Sequence, residues 1–240
     1  MRLADWIEKQ VLDKPRLNMG LACGKTSGRA YEELVKRYHR NDGLTFRFAT
    51  TFNTDEFIGV HPDDPRSARY FMNTRLLKLC DFRLENTHVP RGDAVDLEAE
   101  CLAYESFIQA GGGLDLVVLG LGHNGHVGFN EPGSNLKSRT RVVEFTESTL
   151  SALSDGNRFA GLSQTPTSAI AMGMATIMEA KHVMLIATGI AKAQAVHRMF
   201  DNRPGPAVPA SQLLSHPNLS VVVDRDAASL LKNPAVDLEP

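Results

Sequence analysis

The stretch LGLGHNGHVGFNEPG, residues 119–133, places histidine, asparagine and glutamate side chains between closely spaced glycines. Its Gly120, Gly122 and Gly125 have the G-x-G-x-x-G spacing of a dinucleotide-binding turn. Such a turn needs a helix that begins inside it, so that the helix N-terminus binds pyrophosphate. Here the continuation HVGFNEPG is rich in glycine and contains proline, which is typical of a loop or a short strand. The pattern therefore disfavours a dinucleotide site.

His123 and His126 in the same stretch have HxxH spacing, and Glu131 follows closely. Zinc sites use these residue types, usually with the histidines on a helix or with a well-placed third ligand. The surrounding glycines disfavour a helix, and with it a metal site. Because His126 lies near Asn124 and Glu131 in a loop that follows a strand, the pattern favours a general acid or base oriented by polar neighbours.

The segment CGKTSG places Gly24, Lys25, Thr26 and Ser27 at the start of a predicted helix. Free backbone N–H groups and the helix dipole at such a position favour a phosphate group. A nucleotide-binding P-loop needs four residues between its glycines, whereas three separate Gly20 from Gly24. The segment therefore predicts a site for a phosphate monoester, and a glycine turn with a solvated lysine is the alternative.

The segment FNTDEF carries two adjacent carboxylates, Asp55 and Glu56, directly after a predicted strand. Adjacent side chains of an extended segment point to opposite sides. One carboxylate can therefore reach a site while the other binds a structural partner, and an acidic loop in water is the alternative.

Short apolar runs alternate with helical patterns along the whole chain. Strands are predicted within residues 17–24, 45–52, 111–122, 167–173, 182–189 and 218–224, and a last helix is predicted over 225–232. This alternation predicts one α/β domain over residues 1–240, with a mostly parallel, doubly wound (Rossmann-like) sheet and helices on both faces. Ligands of such sheets bind at the carboxyl ends of the strands, where the loops described above and the TGIAKA turn with Lys192 meet.

The composition excludes several classes of partner. With 26 basic and 28 acidic residues the net charge is −2, which disfavours nucleic acid and anionic membranes as partners. No apolar run approaches the roughly 20 residues that span a bilayer. The N-terminal MRLADWIEKQ lacks the apolar core of a secretion signal. Cys23, Cys80 and Cys101 are widely spaced and suit inert thiols in a reducing compartment, so we expect a cytoplasmic protein.

These segments together resemble the glucosamine-6-phosphate deaminase (isomerase) family. The resemblance covers about residues 15 to 225 in register, and it is carried by LGLGHNGHVGFNEPG, TFNTDEFIGVHPDDPRSARYFMN, SNLKSRTRVVEFTEST, TGIAKAQAV and VPASQLLSHPNLSVVVD. Related sugar-phosphate lactonases share the GxGxxGH portion but not FNEPG. The resemblance implies a cytoplasmic enzyme of amino-sugar metabolism, in N-acetylglucosamine catabolism. It would convert glucosamine 6-phosphate to fructose 6-phosphate and ammonia without a metal or redox cofactor.

The resemblance also implies roles for individual residues. Asp55 matches the general base that moves a proton between C2 and C1 of the open-chain sugar. His126 matches the histidine that assists ring opening, and Glu131 matches the carboxylate that orients this histidine. Asn124 stands where many members of the family have aspartate, a departure that removes one charge near His126.

Phosphate binding is expected at the loop of Gly24, Thr26 and Ser27, together with Lys192 and Arg158. Lys25 replaces a small residue of the family loop and either contacts phosphate or lies in solvent. Arg158 falls in a segment, near residues 145–165, that forms a small mobile lid in the family.

Three alternatives to this function stay open. Galactosamine 6-phosphate is the substrate of a related branch, lactone hydrolysis uses a related scaffold, and a non-catalytic sugar-phosphate sensor would keep the binding residues. Allosteric members of the family carry a basic residue near Val143 and an added C-terminal segment, so we expect no activation by N-acetylglucosamine 6-phosphate. The sequence does not give the oligomeric state, and a homo-oligomer is one alternative.

Overall fold

The computed structural model of the chain describes residues 2–40, 43–155, 159, 161–201 and 203–231. The strands in the described residues are β1 (Asn18–Leu21), β2 (Thr50–Asn53), β3 (Asp55–Phe57), β4 (Thr87–His88), β5 (Leu116–Gly120), β6 (Arg141–Glu144), β7 (Ser168–Ala171), β8 (Val183–Ala187) and β9 (Leu219–Val223). The α-helices there are α1 (Arg2–Asp13), α2 (Lys25–Tyr38), α3 (Ala68–Met72), α4 (Leu97–Ala110), α5 (Glu147–Asp155), α6 (Met174–Met178), α7 (Ala193–Asp201) and α8 (Pro209–Gln212). A π-helix over Asn73–Leu77 continues α3, and short 3₁₀ helices lie at Leu84–Asn86, Leu162–Gln164, Ile190–Lys192 and Leu213–Ser215.

Six strands form a parallel sheet in the order β4-β2-β1-β5-β8-β9. Each of the neighbouring pairs in this sheet is parallel, as crossover helices between the strands require. From β1 the chain passes to β2 on one side and later to β5 on the other. The gap between β1 and β5 is therefore a topological switch point, where ligands of such sheets bind.

Helices cover both faces of this sheet, and β5 shows why. Leu116 and Val118 pack into one apolar cluster with residues of α1 and α2. Val117 and Leu119 point the other way, into a second cluster with residues of α4 and α7. A strand buried on both sides needs a continuous apolar run, which LVVLG supplies. The predicted doubly wound α/β fold is confirmed.

A second, antiparallel sheet of three strands has the order β3-β7-β6. Asp55 pairs with Ala171, and Arg141 pairs with the same residue from the other side. This sheet supports a third apolar cluster, which includes Phe57 and Phe145. The strand predicted within 167–173 belongs to this sheet, whereas β3 and β6 were not predicted, because three- and four-residue strands give little periodicity.

One strand boundary and one helix differ from the sequence expectations. The strand predicted from residue 45 begins at Thr50, because the side chain of Thr45 and the backbone N–H of Phe46 donate to the carboxylate of Asp81 (2.5 and 2.7 Å) instead of extending the sheet. The helix predicted over 225–232 is wrong for the described residues, where 225–230 form turns that close with bonds such as Leu231 N to Ala228 O (2.9 Å).

The segment predicted as a lid, residues 145–165, contains α5 and the 3₁₀ helix at Leu162–Gln164. Its mobility stays a prediction, as does the assignment of all of residues 1–240 to one domain. Among the helices of the described residues, none combines the length and apolar character that a bilayer span requires.

Candidate functional site

A cavity of about 320 Å³ lies at the carboxyl ends of the parallel strands, beside the gap between β1 and β5. Its walls come from the loop after β1, from Asp55 of β3, from the loop after β5, from α5 and from the turn after β8. The topology thus brings together loops that lie far apart in the sequence. The sequence predicts each of these loops as part of a ligand site, whereas the contribution of α5 is seen only in the structure.

Asp55 lines this cavity and is 8 % exposed. Its Oδ2 accepts a hydrogen bond from the Thr54 hydroxyl at 2.7 Å. Glu56 turns away and accepts the backbone N–H groups of Ala68 (2.8 Å) and Arg69 (3.0 Å) at the start of α3. Burial raises the pKa of Glu56 despite these bonds. The two carboxylates diverge as expected for an extended segment, one lining the cavity and the other structural.

His126 lines the same cavity, with its ring packed on the backbone of Gly122. A Cβ atom at residue 122 would lie 2.4 Å from Nδ1, Cε1 and Nε2 of the ring, so only glycine fits there. The Nδ1 atom is 3.3 Å from the Thr149 hydroxyl and 3.7 Å from Oε2 of Glu131. With Nδ1 facing these two groups, Nε2 is the ring nitrogen left for a ligand.

Glu131 lies behind His126 and is 7 % exposed. Its Oε2 accepts hydrogen bonds from Asn124 Nδ2 (2.6 Å) and Thr146 Oγ1 (3.1 Å), whereas Oε1 is buried without a hydrogen-bond partner among the described residues. Burial by itself raises the pKa of this carboxyl. Interactions with His126, and donors from Thr149 and Asn124, outweigh burial and lower the pKa to about 2. Glu131 is therefore ionised at neutral pH.

Asn124 does not line the cavity but connects Glu131 to the loop. Its Oδ1 accepts the backbone N–H of His126 at 3.1 Å, and its Nδ2 donates to Glu131 and, at 3.1 Å, to Thr146. The amide thus supplies a donor where an aspartate would place a second carboxylate against Glu131. The geometry gives Asn124 a positioning role rather than contact with a ligand.

The start of α2 forms another wall of the cavity. Gly24 is its N-cap, with an extended backbone (φ −177°), and the first N–H groups of the helix, from Lys25 onward, have no intrahelical acceptor. Ser27 is buried and its hydroxyl donates to Ala22 O at 2.9 Å. Ser27 can therefore serve a ligand through its backbone N–H alone. Thr26 lines the cavity, and Lys25 does so with an exposed side chain.

The turn after β8 contributes Lys192, whose pKa is lowered by burial. Thr188 links this turn to the start of α2, because its Oγ1 lies 3.0 Å from Oγ1 of Thr26. Burial and the charges of Lys192 and His126 also lower the pKa of His123, which lines the cavity. Arg158, predicted as a phosphate ligand, lies outside the described residues.

His123 and His126 have the HxxH spacing of some metal sites. Over the part of the chain that the structure describes, no group of three or more histidine, cysteine, aspartate or glutamate side chains is arranged to hold a metal ion.

Three residues that complete the surroundings of His126 are not predicted from the sequence. Thr149 and Phe129 line the cavity, and Thr146 contacts Glu131. Phe129 has a left-handed backbone (φ 52°), and its ring centroid is 5.7 Å from that of His126. The one available signal was threonine directly before a helical pattern, and this predicts a helix start rather than a site.

Comparison with known proteins gives consistent results. The family model described as glucosamine-6-phosphate isomerases/6-phosphogluconolactonase matches residues 1–222. A glucosamine-6-phosphate deaminase of Geobacillus sp. (strain WCH70) is 44 % identical over 96 % of this chain and 90 % of its own length. One from Rhodopirellula baltica is 46 % identical with the same two coverages.

Solved structures agree with the sequence comparisons. A monomeric glucosamine-6-phosphate deaminase superposes with a TM-score of 0.90 at 39 % identity, covering 95 % of this chain and 94 % of that chain. A 6-phosphogluconolactonase of Thermotoga maritima superposes with a TM-score of 0.70 at 19 % identity, covering 92 % of this chain and 91 % of that chain. The second likeness shows the fold alone.

Proposed function

We propose that this chain, which belongs to the family of glucosamine-6-phosphate isomerases and 6-phosphogluconolactonases, converts glucosamine 6-phosphate and water to fructose 6-phosphate and ammonia. One observation carries the proposal: Asp55 and His126, on separate elements, line a single cavity that also contains the start of α2 and Lys192. The reaction requires two groups that transfer protons and a site that binds the phosphate. The relatives named glucosamine-6-phosphate deaminase support the same substrate.

The phosphate group binds at the start of α2 and at Lys192. The free N–H groups there and the helix dipole favour an anion, and the ammonium group of Lys192 neutralises part of its charge. The cavity of about 320 Å³ lies at the lower end of the range for small-molecule sites and suits a single sugar phosphate. Phosphate held at this end leaves the sugar carbons near Asp55 and His126.

Ring opening is the task of His126. Nε2 transfers a proton at the ring oxygen, and the free aldehyde forms at C1. The ionised Glu131 stabilises the positive charge that the imidazole carries when protonated, since its Oε2 is 3.7 Å from Nδ1. Asn124 keeps this carboxylate ionised by donating to it.

Proton transfer between C2 and C1 is the task of Asp55. Its carboxylate removes the proton from C2, which gives an enol shared by C1 and C2, and it returns the proton to C1. The nitrogen at C2 is then part of an imine. Water adds to C2 and gives a carbinolamine. The C–N bond then breaks as the proton of the new C2 hydroxyl passes to the nitrogen, so that C2 becomes a ketone and ammonia leaves; the net reaction is a hydrolytic deamination. Positioned acid–base groups of this kind typically contribute about 10²–10⁴-fold each.

A coupled assay tests the proposal by measuring ammonia and fructose 6-phosphate from glucosamine 6-phosphate. Galactosamine 6-phosphate and 6-phosphogluconolactone run as parallel substrates, because the first differs at one hydroxyl and the second belongs to the other activity in the family description. Turnover of the lactone alone refutes the proposal. Tight binding of both amino-sugar phosphates without turnover identifies a sensor instead.

The variant Asp55→Asn separates binding from chemistry. Since the amide cannot accept a proton, exchange of the C2 proton with solvent deuterium should stop while binding of the sugar phosphate changes little. Thr54→Val is the matched control, because it removes the hydroxyl that donates to Asp55 Oδ2 at 2.7 Å but keeps the carboxylate that accepts the proton. Exchange should persist in this variant. Exchange that survives in Asp55→Asn excludes Asp55 as the base.

Two further proposals concern the state of the protein. We propose a cytoplasmic location, supported by three cysteines that are all free thiols in the structure. We also propose that the chain works with or without self-association, because the cavity is built from one chain and a similar solved deaminase is described as monomeric. Light scattering during size-exclusion chromatography measures the oligomeric state directly.

A further inference from the structure

The N-terminal end of α5 contacts the His126–Glu131 pair through two threonines. Thr146, directly before the helix, donates to Oε2 of Glu131 at 3.1 Å. Thr149, in the first turn, lies 3.3 Å from Nδ1 of His126 and also 3.3 Å from Thr146 Oγ1. Both hydroxyls thus come from residues at or just before the start of α5, which follows the loop after β5 in sequence.

Thr149 is the nearer of the two groups that face Nδ1. The 3.7 Å separation between Nδ1 and Oε2 of Glu131 is an ion-pair distance that exceeds hydrogen-bond reach, whereas the Thr149 hydroxyl is within it. Thr149 is 3 % exposed, so no bulk water competes for this bond. Nδ1 therefore has its hydrogen bond with Thr149, and Glu131 acts on the imidazole as a charge.

The donors around Glu131 settle the direction of this bond. Asn124 Nδ2 donates both to Glu131 and to Thr146, and Thr146 passes its own proton to Glu131 Oε2. Thr149 also donates its proton toward this carboxylate and so helps to lower the pKa of Glu131, which leaves a lone pair of Thr149 Oγ1 free for Nδ1–H. The ionised carboxylate also favours a proton on Nδ1 rather than a lone pair.

We propose that Thr149 is a positioning residue, which fixes His126 in the tautomer with a proton on Nδ1 and a lone pair on Nε2. In this form Nε2 is ready to take a proton from the sugar and to return it at the ring oxygen. The tautomer then depends on where α5 lies, because Thr149 is part of that helix.

Apolar side chains of α5 also line the cavity. Ala152 and Leu153 line it one turn after Thr149, and Leu150 and Leu153 pack against the third apolar cluster. A ligand that contacts Leu153 therefore contacts the element that carries the hydrogen-bond partner of Nδ1. Filling of the cavity and orientation of the imidazole are thereby coupled through α5.

The experiment compares Thr149→Val, which keeps the shape and removes the hydroxyl, with Thr149→Ser, which keeps the hydroxyl. The kinetic comparison rests on the proposed function. Thr149→Val should lower kcat for glucosamine 6-phosphate about tenfold, which is the expected effect of losing one buried hydrogen bond. KM should change less than about twofold. Thr149→Ser should recover kcat to within about threefold of the parent enzyme.

A second readout needs no substrate and so separates this inference from the proposed function. Long-range ¹H–¹⁵N spectra of the free protein, at alkaline pH where imidazoles are neutral, report which ring nitrogen of His126 carries the proton. We expect protonated Nδ1 in the parent and in Thr149→Ser. Thr149→Val should show a mixture with protonated Nε2.

Thr51→Val is the matched control, because its hydroxyl is fully buried with no hydrogen-bond partner among the described residues, and Thr51 does not line the cavity. It should leave kcat and the His126 signals unchanged. Thr149→Ala supplies a second hydroxyl-free variant if valine at this position prevents folding. Parent protein with protonated Nε2, or hydroxyl-free variants with unchanged kcat and unchanged ¹⁵N shifts, overturns the inference.

Discussion

Replacing Gly122 with alanine tests how tightly the loop after β5 holds the imidazole of His126. The added Cβ would lie 2.4 Å from three ring atoms, whereas carbon atoms in contact are about 3.5–4.0 Å apart. The ring must therefore move by about 1 Å, or the loop must open. Gly122 N donates to His126 O at 2.9 Å, so the backbone on both sides of the ring resists that movement.

The expected loss of activity follows from this displacement. A misplacement of about 1 Å in a catalytic group costs about 10²-fold in rate. We therefore expect kcat/KM for glucosamine 6-phosphate to fall about 100-fold, which corresponds to about 2.7 kcal/mol of transition-state stabilisation. Overpacking of this kind also costs about 1–3 kcal/mol of folding stability, partly offset by about 0.4–1 kcal/mol because alanine restricts the unfolded chain.

The assay is the coupled release of ammonia and fructose 6-phosphate, run beside thermal unfolding to confirm that the variant is folded. Gly205→Ala is the control, because a Cβ there has Arg203 O at 3.7 Å as its nearest neighbour and the residue does not line the cavity. The control should keep both activity and stability. If Gly122→Ala keeps kcat/KM within about threefold of the parent enzyme, the ring does not act from the position described.

Three further predictions address neighbouring groups. The pKa of Glu131 is lowered from its ordinary 4.5 to about 2, so this carboxyl contributes about 3 kcal/mol that is present above pH 4.5 and is lost as the pH falls toward 2. Urea titrations at stepwise lower pH should thus show a shallower loss of unfolding free energy in Glu131→Gln than in the parent. Asn124→Asp replaces the donor 2.6 Å from Glu131 with a carboxyl, so the pair should share one proton. The pH profile of kcat should then gain a decline on the alkaline side, where that proton is lost, and an unchanged profile contradicts this. Lys192→Met removes a half-buried cation from the phosphate end of the cavity and should raise KM about 10–100-fold with little change in kcat. A loss confined to kcat would argue against phosphate binding, and inhibition by inorganic phosphate provides an independent measure.

The sequence was sufficient to locate most of the site because the information needed is local. A buried parallel strand requires a continuous apolar run, and LVVLG and VMLIA both show it. The loops after such strands meet at one edge of the sheet whatever the rest of the chain does. The places of Gly24, Asp55, His126 and Lys192 at this edge therefore follow from the sequence alone.

The sequence does not show which side chains of those loops are free to contact a ligand and which are already hydrogen-bonded within the protein. Ser27 has the residue type of a phosphate ligand, yet its hydroxyl donates to Ala22 O and only its backbone remains for a ligand. Asn124 lies two residues from His126 in the sequence, yet its side-chain amide reaches Glu131 rather than the imidazole. Each outcome depends on how the loop folds back on itself, because that conformation decides which acceptor lies within reach.

By itself the sequence determined the doubly wound sheet, the edge where ligands bind and the residue types that could move a proton. The tertiary structure decided which of two neighbouring carboxylates lines the cavity, since β3 pairs with β7, more than a hundred residues away. It also decided that Thr149 of α5 is the hydrogen-bond partner of Nδ1. Strand periodicity and loop position are properties of adjacent residues, whereas a contact between α5 and the loop after β5 exists only once the elements between them have packed.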